Sequence, residues 1–481
     1  MNQKIAVPAV FVAATFMNIL DTTIVNVALP TLGREFGVKP ASVDTVAIAY
    51  LVSLAVFIPV SAWLGDRIGA KRVMLIAVAI FTGESALCGA ASSLGGLVAF
   101  RVLQGVGGGL MIPVGMALLY RTFPPAERVR ASSIIVVPTA IAPATGPVIG
   151  GLFVTELSWR WVFYVNLPIG IAAIAFGLYF LEEKRDHAPG DFDLVGFVLA
   201  ASGLGLTMYG VSEGPFRGWG DALIVAALAA GAALLATLVW LELRSHAPMI
   251  DIRLYKDHLF RSSVIVLGLA QAAFLGVLFL VALFYQDALG LSALQSGLGT
   301  FPEAIGSIIG AQVVLRWLYP VLGPRRVMAA GMTILAVSLL LLTLIGAHTS
   351  LWWPRLLVLL SGYGIGHVFL PSQAAGFATI SAADTARAST LFNAQRQLGS
   401  AVGVALLSSV VAAVGPVHVV NGKESANLVA YHAAFVVAAG LAMLGAIVAL
   451  TIRDSEAHQT MVRRGRLARR DAARAAVAPA V

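Results

Sequence analysis

The chain has 481 residues, 59% of them hydrophobic and only 12% charged, with a formal net charge of +8. A soluble protein of that length needs a charged surface these residues cannot make, so lipid is the natural solvent. The 48 glycines and 21 prolines agree, because both are commoner in membrane helices than in soluble ones.

A bilayer core of about 30 Å takes about 20 apolar residues per helix. Apolar runs lie near 8–29, 44–64, 73–91, 96–119, 132–154, 162–181, 194–212, 221–241, 262–285, 294–315, 326–346, 355–375, 389–414 and 429–452. That predicts an all-α polytopic protein of fourteen spans, with both termini on one face. With the termini in the cytoplasm, 25 of the 32 Lys and Arg fall on that side, Arg387 and Arg396 among them. Six fall outside (Arg34, Lys39, Arg160, Arg217, Arg355 and Lys423), and Arg101 lies within a run. This is the positive-inside pattern, so the net charge calls for no nucleic-acid partner. The basic tail at 463–470 reads as a topology anchor, with anionic lipid as its alternative contact. The first run continues through Asp21 to Pro30 with no small-residue cleavage site, so it is expected to stay as a helix. Cys88, the single cysteine, sits in an apolar run and reads as packing.

The chain repeats itself. An offset of 257 maps Gly105, Gly107 and Gly109 onto Gly362, Gly364 and Gly366, Arg130-Ala131-Ser132 onto Arg387-Ala388-Ser389, and Gly146 onto Gly403. An offset of 254 maps Gly69 and Lys71-Arg72-Val73 onto Gly323 and Arg325-Arg326-Val327. Runs 1–6 and 9–14 are therefore two copies of one unit, with runs 7 and 8 inserted. Paired halves mark a secondary transporter, whose site lies near the midplane between them. The boundaries expected are 1–185 for the first six-helix bundle, 186–245 for the inserted pair, 246–452 for the second bundle and 453–481 for a basic tail.

Four segments of the first half carry chemistry. In LDTTIVNVALP (20–30), Asp21 is a carboxylate inside a span, beside a polar stripe of Asn18, Thr22 and Asn26 at spacing four. Such a group is costly in lipid and should face the protein interior or a water cavity. In LGDRIGAKRV (64–73), Asp66 can accept from an arginine or a helix N-terminus, and Gly69 permits a tight turn. In RVLQGVGGG (101–109), the permanent charge of Arg101 demands a partner, a carbonyl or water. In APATGPVIGG (142–151), Pro143, Gly146, Pro147, Gly150 and Gly151 thin and bend the span so that a neighbour can approach and rock against it.

On these residues the chain resembles the fourteen-helix drug/proton antiporter branch (EmrB/QacA-like) of the major facilitator superfamily. Residues 20–30 match its first-helix motif. Residues 62–72 match the superfamily loop motif, with Ala62 and Ala70 where Gly and a basic residue are usual. Arg101 to Gly109 match the fourth-helix motif, and 142–151 match the antiporter motif of the fifth, with Ala142 in place of its first Gly. WRWVFYVNLPIG (159–170) and NAQRQLGSAVGVA (393–405) are also typical. The resemblance covers the whole chain. It implies two rocking six-helix bundles, and the fifth-helix motif implies export.

The expected function is proton-coupled export of hydrophobic, cationic drugs or related small molecules by alternating access. Asp21 is the first candidate for carrying the proton, Arg101 for tuning it or relaying, and Glu303 for a second proton or a cationic cargo facing the half that holds Asp21. Glu84, Gln271, His367 and Asn393 are further cavity candidates with Asn18, Thr22 and Asn26, although each is equally a helix-packing residue. The resemblance implies that Asp66, Arg67, Gly69, Lys71 and Arg72 form a conformational latch. The expected partners are a small-molecule substrate, protons and membrane lipids, with a monomer as the default assembly. The expected place is the inner membrane with both termini cytoplasmic. The alternatives are proton-driven movement of one metabolite, inward or outward, and a membrane-embedded enzyme. An ATP-driven pump or a metalloenzyme would need a GxxxxGK[ST], HExxH or CxxC run, which the sequence lacks, so no cofactor or metal is expected.

Overall fold

The computed structural model describes residues 2–38, 43, 45–124, 127, 131, 134, 141–143, 145–146, 148–183, 192–245, 248, 250–291, 293–346, 349–381, 384–415, 417–420 and 423–461. Pro147, Lys39, Arg128, Arg130, Lys184, Arg185 and the basic tail at 463–470 lie outside the described residues. Among the described residues, eleven helices are long and apolar enough to cross a membrane, or twelve if one bent pair counts as a single span.

The first half holds α1 (Gln3–Phe36), α2 (Thr45–Phe57), α3 (Val60–Ile68), α4 (Ala70–Ala90) and α5 (Leu94–Thr122). It continues with the shorter apolar helix α6 (Ile141–Leu157) and with α7 (Asn166–Phe180). The inserted pair is α8 (Leu194–Arg217) and α9 (Ala222–Arg244). The second half holds α10 (His258–Leu283), α11 (Ala293–Val313), α12 (Tyr319–Leu342), α13 (Trp352–Gly376), α14 (Thr385–Val414) and α15 (Leu428–Leu450). A small antiparallel hairpin, β1 (Val417–Val420) with β2 (Lys423–Ala426), precedes α15.

Local chemistry explains the breaks. α1 begins where the Asn2 side chain accepts from the Lys4 amide, and ends at Gly37, whose φ of 64° closes the last turn. The second apolar run is split into α2 and α3 by a 57° bend; Pro59 falls in the break and removes a backbone donor. Runs 10 and 11 form one continuous stretch, Gln295–Leu342. It is interrupted at Gly323, whose φ of 78° leaves the helical region. Gly69 takes the equivalent left-handed position in the first half, with φ 96°. The repeat seen in the sequence thus places a glycine at the same turn twice.

The halves also pack alike. α4 lies on α5 and α2 on α5, as α12 lies on α13 and α11 on α13. A Cβ on Gly107 would meet Ala77 and Phe81, and one on Gly364 would meet Gly331 and Leu335, with 77 and 81 mapping onto 331 and 335 at the offset of 254. Small residues let these backbones approach in lipid, where no hydrophobic force drives helix association. α8 packs on α9 and also touches α2 from the first half and α14 from the second. Trp219, just past α8, donates to the Ser409 hydroxyl of α14 at 2.7 Å.

Contacts between the two bundles gather at the end that carries Asp66 and Arg121. The Ser61 and Thr390 hydroxyls are 3.3 Å apart. Tyr120 donates to Gln373 at 3.4 Å, and its ring centroid lies 4.6 Å from that of Phe377. A single apolar cluster there joins Tyr120 and Phe123 to Phe260, Phe377 and Phe392. Toward the other end of α1, Asn26 is exposed.

Candidate functional site

At about 100° per residue, Asp21 lies about 60° around α1 from Asn18, about 100° from Thr22 and about 140° from Asn26, so of the stripe only Asn18 keeps to its side. Asp21 is sealed inside the first bundle, with no exposed surface. Arg101 of α5 donates to Asp21 Oδ2 at 2.5 Å, to Gln104 Oε1 at 2.7 Å and to the Val46 carbonyl at 3.3 Å. Gln104 Nε2 donates to Asp21 Oδ1 at 3.1 Å, and Asn166 Nδ2 reaches the same oxygen at 3.3 Å. Asn166 also donates to Ser85, whose hydroxyl donates to the Phe163 carbonyl. The Tyr50 ring lies 4.2 Å from the guanidinium, and its hydroxyl accepts from Asn18.

Five helices therefore converge on one ion pair. An unpaired charge there would be costly, and the hydrogen bonds around the pair answer nearly every donor and acceptor. The partner that the charge of Arg101 demands is chiefly the Asp21 carboxylate, with the Val46 carbonyl beside it. Gln104, Asn166, Ser85 and Tyr50 were not singled out from the sequence. Gln104 lies three residues after Arg101 on one helix face, which is the signal that was available.

Glu303 is also buried, at 4% exposure. It accepts from Ser361 of α13 at 3.4 Å, so it faces a helix of its own bundle instead of the half holding Asp21. His367 donates from Nδ1 to the Tyr363 carbonyl one turn back at 2.8 Å, the geometry of a satisfied core histidine. Glu84 Oε2 and Gln271 Oε1 are buried atoms without a hydrogen-bond partner among the described residues. Asn393 donates to the Ser389 carbonyl at 2.8 Å while its Oδ1 is buried and unpartnered.

The loop residues divide. Asp66 pairs with Arg121 of α5 at 3.0 Å, in a pocket that Ala386 of the second bundle also lines. Lys71 and Arg72 turn the other way, their amides donating to the Glu183 carboxylate at 3.3 and 3.2 Å. Lys71 Nζ adds a bond to the Leu181 carbonyl at 2.5 Å. Arg67 is exposed. A side chain at Gly69 would strike the Glu183 carboxylate, so that glycine admits the acid to the helix start. The second half repeats the device, with the Arg325 amide donating to Asp454 at 3.0 Å. In α6, Cβ atoms on Gly146 and Gly150 would strike Thr23 and Ile24 of α1, which is the close approach expected of that motif. Pro143 is buried, and Gly151 has open space around it. No cluster of His, Cys, Asp and Glu among the described residues is arranged to hold a metal ion.

Comparison with known proteins agrees with this architecture. The family model of the Major Facilitator Superfamily matches residues 11–404 and 263–475. The multidrug resistance protein B homolog of Mycobacterium tuberculosis is 31% identical over 405 residues, covering 83% of this chain and 74% of the relative. Multidrug resistance protein Stp of the same species is 35% identical over 399 residues, with the same coverage. The tetracenomycin C resistance and export protein of Streptomyces glaucescens is 32% identical over 398 residues, covering 82% and 73%. Among solved structures, the human organic anion transporter MFSD10 shares the fold, with a TM-score of 0.66 at 17% identity over 93% of this chain and 99% of that one.

Proposed function

Because the chain belongs to the major facilitator superfamily, in the branch that includes drug exporters, we propose that it exports apolar small molecules in exchange for protons by alternating access. It is a multi-pass membrane transporter and not an enzyme. The two bundles, 1–185 and 246–452, rock about the gap between them. With the termini cytoplasmic, the closed end that carries Asp66 and Arg121 faces the cytoplasm.

The observation that carries the reading is the sealed Asp21–Arg101 pair, whose network reaches Asn18 of the polar stripe through Tyr50. A proton arriving on Asp21 would break a 2.5 Å ion pair and release Arg101. That exchange of partners is a two-state element which rocking of α1 against α6 can drive. The energy is adequate: a proton crossing about 150 mV releases roughly 3.5 kcal/mol. At about 1.4 kcal/mol per tenfold, that sustains a gradient of roughly 300-fold.

The test uses proteoliposomes with an internal pH dye, an imposed pH gradient and a panel of apolar compounds. Compounds that dissipate the gradient with the intact protein and not with Asp21→Asn uphold antiport through Asp21. Dissipation that survives in Asp21→Asn moves the coupling elsewhere, with Glu303 next. A panel that moves no protons removes drug/proton exchange and favours a single metabolite as cargo.

A further inference from the structure

Arg396 was sorted with the cytoplasmic charges, although its apolar run, 389–414, contains it. It lies eleven residues into α14 (Thr385–Val414), about 17 Å along the helix axis at 1.5 Å per residue. The helix has 30 residues, about 45 Å in all, so this point lies within the helix, nearer its first end. Asn393, Arg396 and Gln397 share one face at spacings of three and four. They meet Asn18 of α1 and the Gly108-Gly109 stretch of α5 around one small pocket. The pocket thus takes residues from both bundles, directly beyond the closed contacts at Ser61–Thr390 and Met116–Asn393.

No acidic side chain lines this pocket. None of the described ion pairs involves Arg396, and its Nε is buried without a hydrogen-bond partner. Asn393 Oδ1, on the same face, is also buried and unpartnered. Its amide orientation is fixed because the nitrogen is spent on the Ser389 carbonyl. A permanent charge at this depth with no counter-charge is a functional-site signal in a membrane protein. The nearby carboxylates do not answer it, since Asp21 is committed to Arg101 and Glu303 accepts from Ser361.

We infer that Arg396 is the anion-recognition point of the central cavity, binding a carboxylate or phenolate oxygen of the cargo, with Asn393 Oδ1 accepting from an adjacent hydroxyl. This rests on the exporter reading and reverses the charge the sequence suggested, because the group that faces the gap is cationic.

The probes are two xanthene dyes of one skeleton and opposite charge, fluorescein and rhodamine 6G, with binding followed by anisotropy on the purified full chain in nanodiscs. Arg396→Gln should weaken fluorescein at least about tenfold, as loss of one charge-assisted contact requires, and should not weaken rhodamine 6G. Arg396→Lys should retain most fluorescein binding. In the unaltered protein, benzoate should displace fluorescein and benzamide should not. Equal weakening of both dyes, no effect of Arg396→Gln on fluorescein, or no fluorescein binding by the intact protein overturns the inference. Fluorescein binding that never couples to proton movement in liposomes sinks the exporter reading and leaves the Arg396 assignment standing. Proton-coupled efflux of rhodamine 6G without fluorescein binding does the reverse.

Discussion

Asp21 of α1 and Arg101 of α5 meet at 2.5 Å with exposures of 0% and 1%, eighty residues apart in sequence. Removing one partner of a buried pair strands the other charge and typically costs about 3–5 kcal/mol. Arg101→Leu should therefore destabilise the protein by about that much, because Asp21 keeps only the amides of Gln104 and Asn166. Asp21→Asn with Arg101→Leu should recover part of the loss. Unfolding in detergent, run as a double-mutant cycle, should give a coupling energy above about 1 kcal/mol. A cycle that closes to zero would mean the pair is a crystal-like proximity with no energetic consequence.

The Asp66–Arg121 pair lies within the first bundle, at a pocket that Ala386 of the second also lines. A partly buried charged hydrogen bond contributes about 1.5–3 kcal/mol. Asp66→Asn should thus shift the population away from the conformer closed at this end by roughly tenfold. The readout is labelling of Asn26→Cys by an impermeant maleimide in a Cys88→Ser background. Asn26 is exposed on the open side and Cys88 is buried, so the label reports the opening alone. Slower labelling in Asp66→Asn is the expected outcome. Unchanged labelling would reduce the pair to a topology charge.

Much of the fold was legible because lipid imposes a simple rule on sequence. Most of the apolar runs fall on described helices, and the glycines at 69 and 323 mark the same turn in each half. The count is less secure than the pattern. One run is bent at Pro59, two are merged across Gly323, and the fifth runs partly over residues outside those described. Within the site, the cost of an intramembrane charge identified Asp21 and Arg101. It did not say that they answer each other, since partners on different helices leave no local spacing. Asn166 and Ser85 left no signal for the same reason. Arg396 read as a loop anchor because it lies near a run's end, while the packing of α14 against α5 sets its face on a pocket that both bundles line.

Gly364 tests the close packing of the repeat. Its Cβ would sit 2.7 Å from the Gly331 carbonyl oxygen and 2.9 Å from the Leu335 amide nitrogen, both backbone atoms that cannot rotate aside. Gly364→Ala should cost about 1–3 kcal/mol, the usual penalty of overpacking. Gly83→Ala, with nothing within 4 Å of the added atom, should be neutral or mildly stabilising as a better helix former. Thermal unfolding of the two variants in the same detergent separates these outcomes. Equal stability would show that α12 and α13 have slack at this contact.

Rocking of the bundles requires the closed end to part, and Ser61 with Thr390 gives a direct handle on it. Their hydroxyl oxygens lie 3.3 Å apart and both residues are buried, a separation small enough for the corresponding sulfurs to bond with modest adjustment. Ser61→Cys with Thr390→Cys, in the Cys88→Ser background, should crosslink on oxidation and arrest transport in proteoliposomes. Reduction should restore it. The Arg396 pocket lies on the far side of that crosslink, so the oxidised protein should still bind cargo from the open side. Transport that continues through a fully formed crosslink would mean that this end need not open, and alternating access about the gap between bundles would have to be abandoned.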